Sequence, residues 1–565
     1  MRTPVKHLAD LIMAVFAVAV CQAFITGVSA APVAAGKILN RIPADAQWFV
    51  VANDIGRLNQ QLTQMVQAVQ LPQRPDALAG LVAALNLNLH AMDLHGTVVL
   101  IQMPYKNPQP GTIPAPHVYL LPSTHVHHLF NNAQFTRHGG GIFQLHFNNG
   151  SNVWAAQRGR FVVRARSRRT LKAFLAARKF WTGKLYRAEV AAIRRSGICM
   201  LFNARATRKF TMQSIGGLID QLKNQIAQSK TSELPMLPFV YALYAEGDLV
   251  EQTNVVLLVA HPHSYGLSLQ AFINFQKHSA AAALLPSFPI LGDHPLVGLP
   301  NTPFTIAGAM ATTPRALRVW FESLNSFTSK EDPTMGHSQS AFLKPWLATL
   351  RGLPHPVTRS LVMLPINIHN PPIFRAISIS TSADMANHFP AHQHNLLALA
   401  QSCTAMMKAK GLYLQPLQAK SARTIAGVPF STFTISMAPG KPGAPGGFYQ
   451  RQARKMERLL MLGARGLHVE SGLLGHHLIS GANVKSALLA ATVANVKQNH
   501  DPLDNAPAVR AMRKYMPGKC FFVALSPWVA VGAQSRGPVL HIKAYVPAAS
   551  LRYGAGLIML EMLHG

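Results

Sequence analysis

Gln47-Trp48-Phe49-Val50-Val51-Ala52, followed by Asp54 and by apolar residues at Ile55, Leu58, Leu62, Val66 and Val69, is the stretch on which the fold turns. Its aromatic and β-branched residues read as a strand, Asp54 as a helix N-cap, and the apolar spacing as one face of an amphipathic helix. A related pattern returns in the second half. Phe304-Thr305-Ile306-Ala307-Gly308-Ala309 precedes Thr313-Pro314, which opens a helix carrying Leu317, Trp320, Phe321 and Leu324.

The two halves continue to match on either side of these stretches. Thr97 to Gln102 and Val118 to Leu121 form a strand pair joined through Pro104, Pro108, Pro110, Pro114 and Pro116; Ser360 to Leu364 and Phe374 to Ser380 form another, joined through Pro365, Pro371 and Pro372. Pro122-Ser123-Thr124 and Thr381-Ser382-Ala383-Asp384 then start helices that include Phe130 and Phe389. Arg160 to Ala165 parallels Gly475 to Ser480, Gly197 to Phe202 parallels Gly518 to Val523, and Leu267 to Ile273 parallels Leu540 to Val546. Order is preserved while the separation drifts between roughly 255 and 320 residues, the mark of a diverged duplication with insertions rather than a tandem solenoid.

Strands joined as hairpins and separated by helices at irregular intervals predict an α+β fold: two diverged copies of a mostly antiparallel sheet module, with helices packed on one face. The densest Pro and Gly run, residues 286–303, sets a linker between a first module at 31–285 and a second at 304–565. Ala438 to Gly447 reads as a surface loop.

Arg41-Ile42-Pro43-Ala44-Asp45-Ala46, then a strand, Asp54 and an amphipathic helix, resembles the opening of an exported bacterial family classed as a domain of unknown function. That family places Leu-Pro-x-Asp-Thr before its first strand and carries a signal peptide and a weak internal repeat. Ile42 and Ala46 depart from the motif, and Leu299-Pro300-Asn301-Thr302 is a second approximate copy. The match spans some thirty residues, and it implies an address and an architecture but no activity.

Residues 1–30 carry the export signal themselves. Arg2 and Lys6 precede an apolar stretch from Leu11 to Val20 and on to Ile25, and Gly27-Val28-Ser29-Ala30 supplies a small-residue cleavage site, which places the cut between Ala30 and Ala31. The apolar core of about 15 residues falls short of the roughly 20 needed to span a bilayer. Val20 before Cys21 argues against a lipid anchor. Ser279 to Gly292, the other long uncharged stretch, is broken by Pro286 and Pro289, so the mature chain is expected to lack a transmembrane segment and to reside in the periplasm, the envelope or outside the cell.

The chain has 53 Lys and Arg against 21 Asp and Glu, a formal charge of +32. Such a field attracts anionic polymers and acidic surfaces, although a generally basic exported proteome would produce the same balance. The basic residues are densest between Arg158 and Lys209, where 16 Lys or Arg face a single acid, Glu189. Arg158, Arg160, Arg164, Arg166 and Arg168 share one parity and would line one face of an extended strand. Arg169 and Lys172 continue the basic face on the following helix, with Phe180, Trp181 and Tyr186 available to stack. These seven cations are the expected anionic-ligand site, a solvated basic face being the alternative.

Other chemistry finds less support. His125-Val126-His127-His128, His261-Pro262-His263, His392-Gln393-His394 and His476-His477 lack the three or four ligands that a metal needs, so neither metal nor cofactor is expected. Gly-x-Ser-x-Gly, His-Glu-x-x-His and phosphate-loop motifs are absent, and Gly336-His337-Ser338-Gln339-Ser340 is the nearest miss. Glu246, Asp248 and Glu251 form the densest acidic cluster, read as a turn between strands Val240 to Ala245 and Val255 to Val259. No residue is assigned a catalytic role. Cys199, Cys403 and Cys520 are expected to be buried thiols, with a Cys199–Cys520 disulfide as the alternative, and Trp48, Trp154, Trp320, Trp346 and Trp528 are expected to anchor the core. The sequence therefore suggests a non-enzymatic binding or scaffold protein facing an anionic polymer or envelope surface, with no specific nucleic acid inferred. An exported hydrolase with a site formed between modules is the alternative.

Overall fold

The computed structural model describes residues 38–70, 77–104, 116–181, 184–228, 237–331, 355–365, 375–387, 389, 413–438 and 467–553. The leader, Pro108, Pro110, Pro114, Ser338, Trp346, Pro371, Pro372, His392, His394, Cys403 and the 438–447 loop beyond Ala438 lie outside these residues. The fold is mixed α+β, and the chain divides into two compact units. The first comprises Met1–Thr211, Thr253–Asn274 and Tyr545–Gly565; the second comprises Met212–Gln252 and Phe275–Ala544.

The first unit holds β1 (Trp48–Ala52), β2 (Val98–Gln102), β3 (His117–Pro122), β4 (Ala133–His138), β5 (Ile142–Phe147), β6 (Asn152–Arg158), β7 (Phe161–Ala165), β8 (Ile198–Phe202), β9 (Thr253–His263) and β10 (Gly266–Phe275). Across its sheet the order is β4-β5-β6-β7-β3-β2-β1-β8-β9-β10, and the recorded registers from β4 to β9 are antiparallel. β1 is covered on both faces, with Phe49 and Val51 buried on one and Val50 and Ala52 on the other, and within the sheet Val50 pairs with Leu100 on one side and Met200 on the other. Its helices are α1 (Ile55–Val69), α2 (Ala77–Leu85), α3 (Val126–Leu129), α4 (Arg168–Leu175), α5 (Arg187–Arg195) and the start of α6 (Ala204–Gln228).

Helix α1 forms as its sequence predicts. Asp54 accepts a hydrogen bond from Arg57 N at 3.1 Å, and Ile55, Leu58, Leu62, Val66 and Val69 are all buried. One core cluster of this unit joins Ile55 to Leu81, Leu121, Phe130, Leu145 and Val162, while Leu58 and Leu62 of the same helix pack with Ala52 of β1 in another.

The second unit holds most of α6, then α7 (Leu237–Gln252), α8 (Ala280–Leu284), α9 (Pro314–Glu331), α10 (Ser486–Lys497) and α11 (Pro507–Arg513). Its strands are β11 (Ile306–Thr312), β12 (Val357–Met363), β13 (Ala376–Thr381), β14 (Tyr413–Ile425), β15 (Val428–Ala438), β16 (Leu467–Leu474), β17 (His477–Ala482), β18 (Phe522–Leu525), β19 (Ala530–Arg536) and β20 (Val539–Pro547). Their order is β14-β15-β16-β17-β13-β12-β11-β18-β19-β20, the order of the first unit with ten added to each strand number. The recorded registers from β14 to β19 are again antiparallel.

The Pro/Gly-rich run 286–303 forms only a short 3₁₀ turn, Leu285–Ser287, and no strand. It is nevertheless fixed within the second unit. Leu296 N donates to Asp504 Oδ2 at 2.7 Å, Ser360 Oγ donates to the Pro295 carbonyl at 2.7 Å, and Leu296 and Leu299 are fully buried.

Residues 237–252 differ from expectation, since the predicted strand Val240 to Ala245 and acidic turn are one helix, α7. Val240 and Tyr244, four residues apart, enter a core with Ile215, Ile219, Leu324 and Phe327, a helical repeat that a reading by alternation misses. Gly247 permits the close approach to α9: a Cβ there would lie 2.8 Å from the Phe327 ring. Trp320 and Trp528 are 39% and 53% exposed rather than core anchors, because the buried face of α9 is set by Ala316, Leu324, Phe327 and Thr328 and because Trp528 sits in the turn after Ser526. Trp48 and Trp154 are half-buried.

Candidate anionic-ligand site

The expected basic strand is interrupted. β6 ends at Arg158, Gly159 turns the chain with φ of 64°, and β7 begins at Phe161, so Arg158 lies opposite Phe161 and not in line with Arg164. Only a residue tolerant of positive φ suits this tight hairpin, and glycine does so without strain. Gln157 secures the turn: its Nε2 donates to the carbonyls of Gly159 at 2.6 Å, Ser123 at 2.9 Å and Phe161 at 3.2 Å. The seven cations therefore do not share one strand face.

Two of them serve the interior. The Arg158 guanidinium carbon lies 5.4 Å from the Phe174 ring centroid and 5.7 Å from that of Phe180, and burial, then nearby Arg41, pull its pKa down. Arg164 stacks over Tyr119 at 5.5 Å; burial lowers its pKa, which Tyr119 partly offsets. Such contacts hold a cation through an aromatic face without a carboxylate.

The other five are exposed. Arg160 stands alone at the hairpin turn, while Arg166, Arg168, Arg169 and Lys172 gather where β7 passes into α4. Six residues of extended chain separate Arg160 from Arg166, roughly 20 Å at about 3.3 Å per residue. Ser167 caps α4 by accepting from Thr170 N at 3.1 Å, and Leu171 and Phe174 turn inward, which leaves Arg168, Arg169 and Lys172 outward. Arg168 and Lys172, four apart, and Arg169 and Lys172, three apart, are neighbours on a helix surface. Arg168 also covers the Trp154 ring at 5.3 Å.

This placement works against the helix. A helix N-terminus is the positive end of its dipole, and each misplaced cation there is disfavoured by about 0.3–1 kcal/mol. The first turn of α4 holds no acid. Among the described residues, none of the 16 cations between Arg158 and Lys209 joins an ion pair. The one acid, Glu189, is fully buried at the start of α5, where its Oε2 accepts from Tyr186 N at 2.6 Å and its Oε1 has no partner. Burial pushes its carboxyl up to about 7. Of the expected stacking aromatics, Trp181 is buried at 2% exposure, edge-on to Phe49, whereas Tyr186 is 39% exposed.

The remaining candidates lie elsewhere. His127 packs on Phe135 and Phe143 at 4.7 and 4.9 Å, and His261 stacks with His263 on β9. Among the described residues no three His, Cys, Asp or Glu gather as a metal site would need. Cys199 and Cys520 are free and buried, so the alternative disulfide is absent. Burial pushes the Cys199 thiol up to about 12, which makes it a poor nucleophile at neutral pH. Asp248 and Glu251 come together on α7, a grouping that proximity in sequence suggested but placed in the wrong element. No helix among the described residues is long and apolar enough to cross a membrane. Comparison with known protein families returns no match for this chain, and comparisons with curated proteins and with solved structures return none either.

Proposed function

We propose that the chain is a non-enzymatic binding protein of the bacterial envelope, exported by its first thirty residues and built from two diverged copies of one α+β module. The first copy docks an anionic polymer or an anionic envelope surface. The identical strand order of the two units supports the duplication, and the basic, apolar and small-residue order of residues 1–30 supports export.

The observation that carries the binding role is the group Arg166, Arg168, Arg169 and Lys172 at the positive end of α4, exposed and, among the described residues, without a carboxylate partner. Mutual repulsion and the helix dipole both disfavour this arrangement in the free protein, and a phosphate, sulfate or carboxylate polymer relieves both. Arginine additionally offers paired N–H donors that match such anions.

Heparin affinity chromatography with a salt gradient tests the reading. Replacing Arg166, Arg168, Arg169 and Lys172 together with Gln is expected to lower the eluting salt concentration and weaken heparin binding roughly tenfold near physiological salt. Replacing Lys485, Lys497, Arg510 and Lys514 in the second unit removes the same charge and is expected to change elution far less. Equal effects of the two sets would reduce the attraction to net charge and overturn the proposal.

A further inference from the structure

The sheet of the first unit buries its two faces unequally. Along β8 and β9 every second residue, Cys199, Leu201, Leu257 and Val259, is at most 2% exposed, while the alternate residues Met200, Phe202, Val256 and Leu258 keep part of their surface open. Antiparallel strands ordinarily turn polar side chains to their more open face. Here that face is apolar.

Register extends it across the sheet. Leu258 lies opposite Met200, Met200 opposite Val50, Val50 opposite Leu100, Leu100 opposite Tyr119 and Tyr119 opposite Arg164. Strand spacings of about 4.8 Å make this row roughly 24 Å long. The next row runs Val256, Phe202, Trp48, Gln102 and His117, with the Trp48 and His117 rings 5.5 Å apart. Burial pushes the Tyr119 hydroxyl up and the His117 imidazole down in pKa, although both side chains stay partly open to water. Groups that are desolvated yet still accessible line a recess and not a flat surface.

Arg164 closes the long row. Its guanidinium carbon lies 5.5 Å from the Tyr119 ring centroid, its Nε is buried without a hydrogen-bond partner, and among the described residues no carboxylate pairs with it. A cation enclosed in this way is disfavoured until an anion reaches it. In the second unit Arg359 stands on the open face of β12, opposite Ser380, and its Nε donates to Ser380 Oγ at 3.1 Å, so the donor left bare in Arg164 is satisfied there.

We propose that this recess binds a long-chain fatty acid, its carboxylate on Arg164 and its acyl chain along Leu100, Met200 and Leu258. An apolar row that ends in one guanidinium complements an amphiphile with one negative charge. Arg164 takes no part in the exposed group on α4, so this site stands or falls apart from the polyanion reading.

Isothermal titration of the full chain with palmitate below its micelle concentration tests the proposal, with laurate and hexadecyltrimethylammonium as comparison ligands. Saturable binding of palmitate is expected, far tighter than that of the cationic amphiphile. Arg164→Gln is expected to weaken palmitate roughly tenfold, whereas Arg194→Gln, which removes an exposed cation of α5, leaves it unchanged. Leu258→Gln, at the far end of the row, is expected to weaken palmitate roughly threefold and to leave laurate, whose shorter chain ends before β9, unchanged. Should Arg164→Gln fail to fold, Leu258→Gln decides. Absence of palmitate binding to the unmodified chain, unchanged palmitate affinity in a folded Arg164→Gln or Leu258→Gln variant, equal weakening by Arg194→Gln, or equal binding of hexadecyltrimethylammonium would each overturn it.

Discussion

The hairpin β6–β7 with α4 and the hairpin β16–β17 with α10 hold the same place in their strand orders, yet they handle charge in opposite ways. From Asn152 to Leu175 there are seven cations and no acid; from Leu467 to Lys497 there are two cations, Lys485 and Lys497, and one acid, Glu470. Glu470 is buried and holds Arg423 through both oxygens, at 2.5 and 2.8 Å, while Arg423 also reaches Ser486 on α10 at 2.7 Å. The cation-rich unit, by contrast, leaves its own buried acid, Glu189, without a cation among the described residues. Five of those seven basic residues are exposed and two stack on aromatic rings inside, and a unit with the same strand order does without them. The basic surface is thus not a requirement of this fold.

The largest difference expected between the two regions lies in their buried acids, Glu189 and Glu470. Glu189 has a folded pKa of about 7, above the ordinary carboxylate value, so the folded state holds its proton more tightly than the unfolded chain. Stability is therefore highest below the unfolded pKa and falls as pH rises through about 7, by about 3 kcal/mol from this group. Urea denaturation from pH 4.5 to 8 is expected to show this fall in the unmodified chain and a much flatter profile in Glu189→Gln. Equal slopes would mean that Glu189 is effectively solvated.

Arg423→Met removes the cation from Glu470. A fully buried pair broken in this way loses about 3–5 kcal/mol. Because the Arg423 side chain is 48% exposed, solvent screening reduces the expected loss to about 2 kcal/mol, measurable by the same denaturation. The smallest effect concerns the helix caps. Ser167 caps α4 with its side chain, whereas Lys485 at the N-cap of α10 makes no such bond. Ser167→Ala is expected to cost about 1 kcal/mol and Lys485→Ser to gain about 0.5 kcal/mol. Thermal unfolding would check both, and opposite signs are the outcome that sustains the contrast.

The sequence discloses elements whose period is clean. The buried face of α1 is written in Ile55, Leu58, Leu62, Val66 and Val69, and the strands matched between halves fall at corresponding places in the two strand orders. Alternation misleads where tertiary contact decides. In α7 the core positions Val240 and Tyr244 are helical neighbours, and Gly247, ordinarily a helix weakener, is favoured by the Phe327 ring against it. The concentration of basic residues is legible in composition but their arrangement is not. Residue parity takes no account of Gly159, whose positive φ ends one strand and turns the chain into the next, so two of the seven cations fall into aromatic contacts and one stands apart at the turn. The row from Leu258 to Arg164 is assembled across the sheet from β9 to β7, an adjacency that no local pattern conveys.

Cys199 in β8 and Cys520 just before β18 give each unit its own clock. Both thiols are enclosed and raised in pKa by burial, so a reagent such as a disulfide dye gains access only when the surrounding sheet opens. With Cys21 and Cys403 replaced by Ser, the two labelling rates would report the opening of the two units separately, in one molecule and without denaturant. Ligands could then be assigned to a unit by whichever thiol they slow.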